Sequence, residues 1–121
     1  MKAIEKFGDL VGETLRSVRQ DGNDEIRIEL EDGREFRLHH MQDCCESVAI
    51  EDVNGDLADL VGEVVVAEGS SNSDEPKPEE YPDDSFTWTF YRLGTQRGTV
   101  VIRWYGASNG YYSESVDFDA V

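Results

Sequence analysis

Apolar and polar residues alternate along most of this chain in short runs separated by turn residues. Ile26, Ile28 and Leu30 alternate with Arg27 and Glu29, and Phe36 and Leu38 alternate with Arg37. Period two marks a strand with one buried face. Asp32–Gly33 between these runs is a hairpin signal. The pattern therefore predicts strands over Glu25–Leu30 and Glu35–His39. The β-branched run Val64–Glu68 and the segment Glu46–Val53 read as further strands. Thr14–Arg19 is ambiguous, because Val11, Leu15 and Val18 also fit a helical stripe. Asn54-Gly55-Asp56 is a turn with a helix N-cap, followed by an apolar face of Leu57, Leu60 and Val61.

The densest apolar stretch is Phe86–Phe118. It holds both tryptophans, four of the five tyrosines and three of the five phenylalanines. Phe86, Trp88 and Phe90 alternate with Thr87, Thr89 and Tyr91. After a turn at Leu93–Gly98, Val100, Ile102 and Trp104 alternate with Val101, Arg103 and Tyr105. A turn at Gly106–Gly110 leads to Val116 and Phe118. Aromatic side chains bury the most area, so this stretch is expected to nucleate the core with Trp88 and Trp104 on one face. The expected fold class is mainly β, a β-rich α+β arrangement of about eight largely antiparallel strands with one or two short helices.

Asp-Leu-Val-Gly-Glu occurs at Asp9–Glu13 and again at Asp59–Glu63, and Glu-Ser-Val occurs at Glu46–Val48 and at Glu114–Val116. The order of the markers is the same in both halves. This predicts an internal duplication, with units of about 9–53 and 59–119 inside a single domain spanning 1–121. The markers lie 50 residues apart in the first case and 68 in the second, so the second unit carries 18 extra residues. Segment 69–84 contains all three prolines and is polar and acidic, so it is expected to be a mobile loop.

Charge narrows the function classes. The 121 residues carry a net charge of −16 with 27 acids and 11 Lys plus Arg. That argues against direct nucleic-acid binding, which needs cations to displace counterions. No apolar run is long enough to span a membrane. The N-terminus MKAIEKFGDL lacks the apolar stretch of a signal peptide, which points to the cytoplasm.

Several motifs together resemble an uncharacterised family of small phage- and prophage-encoded proteins. They are Gln42-Asp43-Cys44-Cys45-Glu46, Gly55-Asp56-Leu57 through Asp59-Leu60-Val61-Gly62, Thr87-Trp88-Thr89-Phe90-Tyr91, and Arg103-Trp104-Tyr105-Gly106 through Ser108-Asn109-Gly110-Tyr111-Tyr112-Ser113-Glu114. The resemblance implies a viral context and carries over no catalytic residues.

The candidate chemistry is sparse. His39, His40, Cys44 and Cys45 hold every His and Cys of the chain. Adjacent strand residues face opposite ways and no zinc-ligand spacing is present. No metal or other cofactor is therefore expected, with His39 and Cys45 the weak candidates, and the cysteines are expected to be free thiols. Glu46 and Glu114 occupy equivalent repeat positions and would make a carboxylate pair, but strand-start acids usually cap turns or pair with arginines. No catalytic residue is assigned, and the protein is expected not to be an enzyme. The favoured site is the face opposite the tryptophans, with Tyr91, Arg103 and Tyr105, joined by Ser108, Asn109 and Tyr111 of the adjoining turn. Tyr and Arg dominate interface hot spots. The leading expectation is an interaction protein that binds and inhibits a host protein. The alternatives are a binder of a small anionic, nucleotide-like ligand gripped by Arg103, or a virion accessory protein.

Overall fold

A computed structural model describes residues 2–43, 45–73, 85–110 and 112–121. In chain order the elements are a 3₁₀ turn η1 (Phe7–Leu10), strands β1 (Thr14–Asp21), β2 (Glu25–Leu30), β3 (Glu35–His39) and β4 (Ser47–Asn54), a second 3₁₀ turn η2 (Leu57–Leu60), and strands β5 (Gly62–Asn72), β6 (Ser85–Thr95), β7 (Gly98–Ser108) and β8 (Asp117–Ala120). All strand pairs are antiparallel, and the eight strands follow the order β4-β7-β6-β5-β1-β2-β3-β8. The fold is mainly β, and where one or two short helices were expected from sequence there are two single 3₁₀ turns. At η2, the side chain of Asp56 accepts a hydrogen bond from the Ala58 N–H at 2.9 Å, the capping role its position predicts.

The order has an internal symmetry. The first half of the chain reads η1-β1-β2-β3-β4 and the second η2-β5-β6-β7-β8. Exchanging each element for its counterpart turns the strand order into its own reverse. The fourth strands are interchanged: β4 pairs with β7 of the second half, and β8 pairs with β3 of the first. The halves meet where Thr14 pairs with Glu63 and Leu15 with Gly62. Gly12 and Gly62, equivalent in the two copies of the pentapeptide, both take positive φ, 92° and 126°. That backbone region disfavours any residue with a Cβ. Leu10 and Leu60, also equivalent, are both fully buried.

Strand β1 resolves the helix-or-strand ambiguity. Its register with β2 shifts between Leu15 and Ser17. A bulge adds one residue to one side of a ladder, so Leu15 and Val18 both turn inward and are buried. The three-residue spacing that resembled a helical stripe belongs to a bulged strand. β5 repeats the device, with a register shift between Val64 and Val66 and buried Val64 and Ala67. β5 also corrects the expected loop. Gly69–Asn72 is strand, because Ser70, Ser71 and Asn72 pair with Phe90, Thr89 and Trp88; residues 74–84 lie outside the described residues.

One core cluster draws on both halves, including Leu10, Leu15, Ile26, Leu38, Leu60, Leu93, Ile102 and Trp104. Residues from both ends of the strand order share it, so the sheet is folded over its inner face. The end strands approach each other through His40. Its Nδ1 lies 2.7 Å from the carbonyl of Ser115, just before β8, and its Nε2 lies 3.1 Å from Oε2 of Glu46, just before β4. Phe118 of β8 stacks on Phe36, with centroids 5.3 Å apart, and meets Phe7 edge-on at 5.6 Å.

Candidate functional site

The hairpin β6–β7 decides which aromatic residues share a face. Thr95 pairs with Gly98 across the two-residue turn Gln96–Arg97, so Trp88 pairs with Tyr105, Thr89 with Trp104, Phe90 with Arg103 and Tyr91 with Ile102. A two-residue turn joins even-numbered positions of one strand to odd-numbered positions of the other. Trp88 and Trp104 therefore lie on opposite faces, which corrects the expectation that they share one. Trp104 is fully buried in the main core, and Tyr91 packs against that core. Trp88, Tyr105 and Ala107 form a second buried cluster with Phe86 and Phe90 packed against it. The Arg103 guanidinium lies 5.2 Å from the centroid of the Trp88 ring, a cation–π contact, and 3.8 Å from Glu51. Tyr105 is only 8% exposed and meets Trp88 edge-on at 4.8 Å.

The expected binding set is thus divided. Arg103 and Tyr105 stand on the face of Trp88, where the Tyr105 ring is packed rather than presented. Tyr91 faces the other way. Ser108 is buried at the end of β7, Asn109 is exposed in the following turn, and Tyr111 lies outside the described residues.

Tyr91 leads instead to a cleft of about 640 Å³ between η1, β5, β6, Gly110 and the segment 112–116. Ser71, Ser85, Thr87 and Thr89 supply hydroxyls from β5 and β6, and Ser113 and Ser115 supply them from the opposite wall. Lys6 and Glu114 are the charged residues among the described residues of the lining. Glu114 is partly buried; Oε1 accepts from Thr87 Oγ1 at 2.8 Å and Oε2 from Ser108 Oγ at 2.5 Å. Ser108 in turn accepts from the Gly110 N–H at 2.9 Å. The Tyr91 hydroxyl donates to the carbonyl of Val116 at 3.3 Å. Burial, and next the charge of Asp117, push the Tyr91 pKa up from its ordinary value. The phenol therefore stays protonated at neutral pH and keeps that bond.

Two glycines open this cleft. A Cβ on Gly106 would lie 2.6 Å from the carbonyl oxygen of Glu114, and one on Gly69 would lie 2.8 Å from the Tyr91 ring. Both positions allow close approach rather than an unusual backbone. Gly106→Ala is expected to push segment 112–116 away from β7 and to cost about 1–3 kcal/mol, the usual range for overpacking. A denaturant titration reads the loss, and displaced amide resonances over 112–116 would locate it.

The repeat equivalent of Glu114 has a different environment. The Glu46 side chain is fully buried and that of His40 is 4% exposed. Oε2 of Glu46 meets His40 Nε2 and the Asp43 N–H, both at 3.1 Å, while Gln42 Nε2 donates to Oε1 at 3.1 Å. One carboxylate is sealed into the fold and the other lines a cleft. The two do not form a shared acid–base site.

The weak metal candidates do not converge. His39 Nε2 is 2.7 Å from Asp119 Oδ2. Cys45 is disulfide-bonded, which corrects the expected free thiol and leaves it no thiolate for a metal. No group of three or more His, Cys, Asp or Glu able to hold a metal occurs among the described residues. No helix among them is long and apolar enough to cross a membrane.

Fold and cleft together define a small mainly-β protein whose two topologically equivalent halves exchange their last strands. The chain belongs to the family described as a domain of unknown function, DUF7448, whose model matches residues 8–118. Comparisons with curated proteins and with solved structures returned no match.

Proposed function

We propose that this protein is a non-enzymatic binding protein that holds a small polar molecule in the Glu114 cleft. The observation that carries the reading is the contrast between the equivalent acids. Glu46 is enclosed by His40, Gln42 and the Asp43 N–H, whereas Glu114 lines a hydroxyl-walled cleft of about 640 Å³. A cleft of that size accommodates a small molecule. Two-carboxylate chemistry finds no support, because the Glu46 side chain is fully buried. The nucleotide-like ligand loses its favoured anchor, because Arg103 stands on the opposite face of β7 and Glu114 would repel an anion.

A second reading, a phage-type protein that binds and blocks a host protein in the host cytoplasm, draws on the net charge of −16. It would use the acidic surface, since the Tyr105 ring is packed inward. The role of virion accessory protein draws on the resemblance alone.

A melting-temperature screen against small polar compounds separates these readings. A ligand that binds only the folded state raises the melting temperature in proportion to RT ln(1 + [L]/Kd). Ser71 is exposed and lines the cleft, so Ser71→Trp is expected to fill it and abolish the shift while leaving the unliganded melting temperature near that of the wild type. A shift that survives Ser71→Trp would place the ligand elsewhere.

A further inference from the structure

Hydrogen-bond directions at the floor of the cleft specify what it accepts. Glu114 is a carboxylate, so it only accepts. The hydroxyl protons of Thr87, Ser108 and Tyr91 already have partners within the protein. Thr87 and Ser108 donate to Glu114, and Tyr91 donates to the Val116 carbonyl. On the opposite wall Ser113 and Ser115 share one hydrogen bond at 2.7 Å, and Ser113 Oγ also accepts from the Ser115 N–H. The hydroxyl oxygens of Thr87 and Tyr91 therefore turn lone pairs, not protons, toward the cleft. The free lone pairs of Glu114 add to them. Immediately around Glu114 the floor is an acceptor array on one negative charge, while the lining hydroxyls of Ser71, Ser85 and Thr89 can turn to donate or accept.

From this we infer that the ligand of the cleft is a small organic amine whose protonated nitrogen sits on Glu114. The inference rests on the reading of the cleft as a small-molecule site and assigns its ligand class. An ammonium group carries three donors and no acceptor, the complement of this floor. Hydrogen bonds between ionised partners are about twice as strong as neutral ones. The rings of Tyr91, Tyr112 and Phe7 line the same cleft, and aromatic faces favour cations. Lys6, just before η1, is the opposing charge among the described lining residues; it is exposed on a flexible side chain. The net charge of −16 attracts cations to the whole surface, so the test must separate the site from that background.

Calorimetric titration of the full chain with 1,4-diaminobutane, its fully N-methylated analogue, glucose and AMP provides that test. The diamine is expected to bind at one site, with its affinity reduced at least about tenfold on N-methylation, because the analogue keeps the charge and loses the donors. Glu114→Gln is expected to reduce diamine affinity by at least about tenfold, while Glu31→Gln, the same charge change at an exposed position at the end of β2, leaves it unchanged. The methylated analogue keeps the test valid on wild-type protein even if Glu114→Gln fails to fold. Equal binding of the diamine and its methylated analogue, or an equal loss in both variants, would reduce the effect to bulk charge and overturn the inference. Binding of glucose or AMP in preference to the diamine would also overturn it while sparing the small-molecule reading. Binding of none of the four would count against both.

Discussion

Trp104→Ala is expected to cost about 3–5 kcal/mol of unfolding free energy, as large aromatic truncations in a core do. Trp104 is fully buried in the cluster that joins both halves of the chain. It is paired with Thr89 on one side and Ile50 on the other. Its removal would leave a cavity where strands β6, β7 and β4 share their inner face. The indole also carries a burden: its Nε1 is buried with no hydrogen-bond partner among the described residues. Trp104→Phe is therefore expected to cost much less than the alanine variant, because it keeps most of the apolar contact and removes the unpaired donor. Urea titrations of the two variants give the comparison. Equal losses would mean that the ring size, and not the face it occupies, was misjudged.

The His40–Glu46 pair should give an effect of similar size. The Ser115 carbonyl can only accept, so His40 Nδ1 must carry a proton. At Nε2 a further proton is shared with the Glu46 carboxyl. Removing the imidazole takes its ring partner from an acid whose side chain is fully buried. His40→Ala is expected to cost about 3–5 kcal/mol, the range for breaking a buried pair from one side. Removing both partners in His40→Ala/Glu46→Ala is expected to cost clearly less than the sum of the single losses, because no uncompensated charge remains. Additive losses in a double-mutant cycle would show that the two groups do not act as a pair.

The same comparison tests how the end strands are held. His40 touches Glu46 at the entry to β4 and Ser115 at the entry to β8. These are the two strands exchanged between the halves. Hydrogen exchange in His40→Ala should therefore accelerate first in β4 and β8.

Much of this architecture was legible in the chain, and the misreadings of which side chains share a face have one physical origin. Glu25–Leu30 and Glu35–His39 are strands with the boundaries that their alternation predicts, because each pairs regularly and buries one face. The order of the repeated markers matches an element order that occurs twice. Side-chain parity, however, is a property of the pairing and not of the single strand. The bulge in β1 moved Val18 to the side of Leu15. The two-residue turn after Thr95 placed Tyr105 with Trp88 and Tyr91 with Trp104. One added residue in a ladder or in a turn inverts a whole face, and that is why the candidate binding set split in two. Glu114 was visible as one member of a repeated pair. Its surroundings were not, because what separates it from Glu46 is a different set of partners: Thr87 and Ser108 for one, His40 and Gln42 for the other. Gly106 carried a signal only in hindsight, since close approach by a segment eight residues later leaves no local pattern.

The proposed occupant of the cleft beside Glu114 is a small polar ligand. Amide chemical-shift mapping of the full chain against small amines, sugars and nucleotides tests it most directly. Saturable shifts focused on Thr87, Thr89, Gly110, Ser113, Glu114 and Ser115 are expected, with the Glu46 region unmoved. Shifts centred on the Trp88–Tyr105 face, or scattered over the acidic surface without saturation, would contradict it.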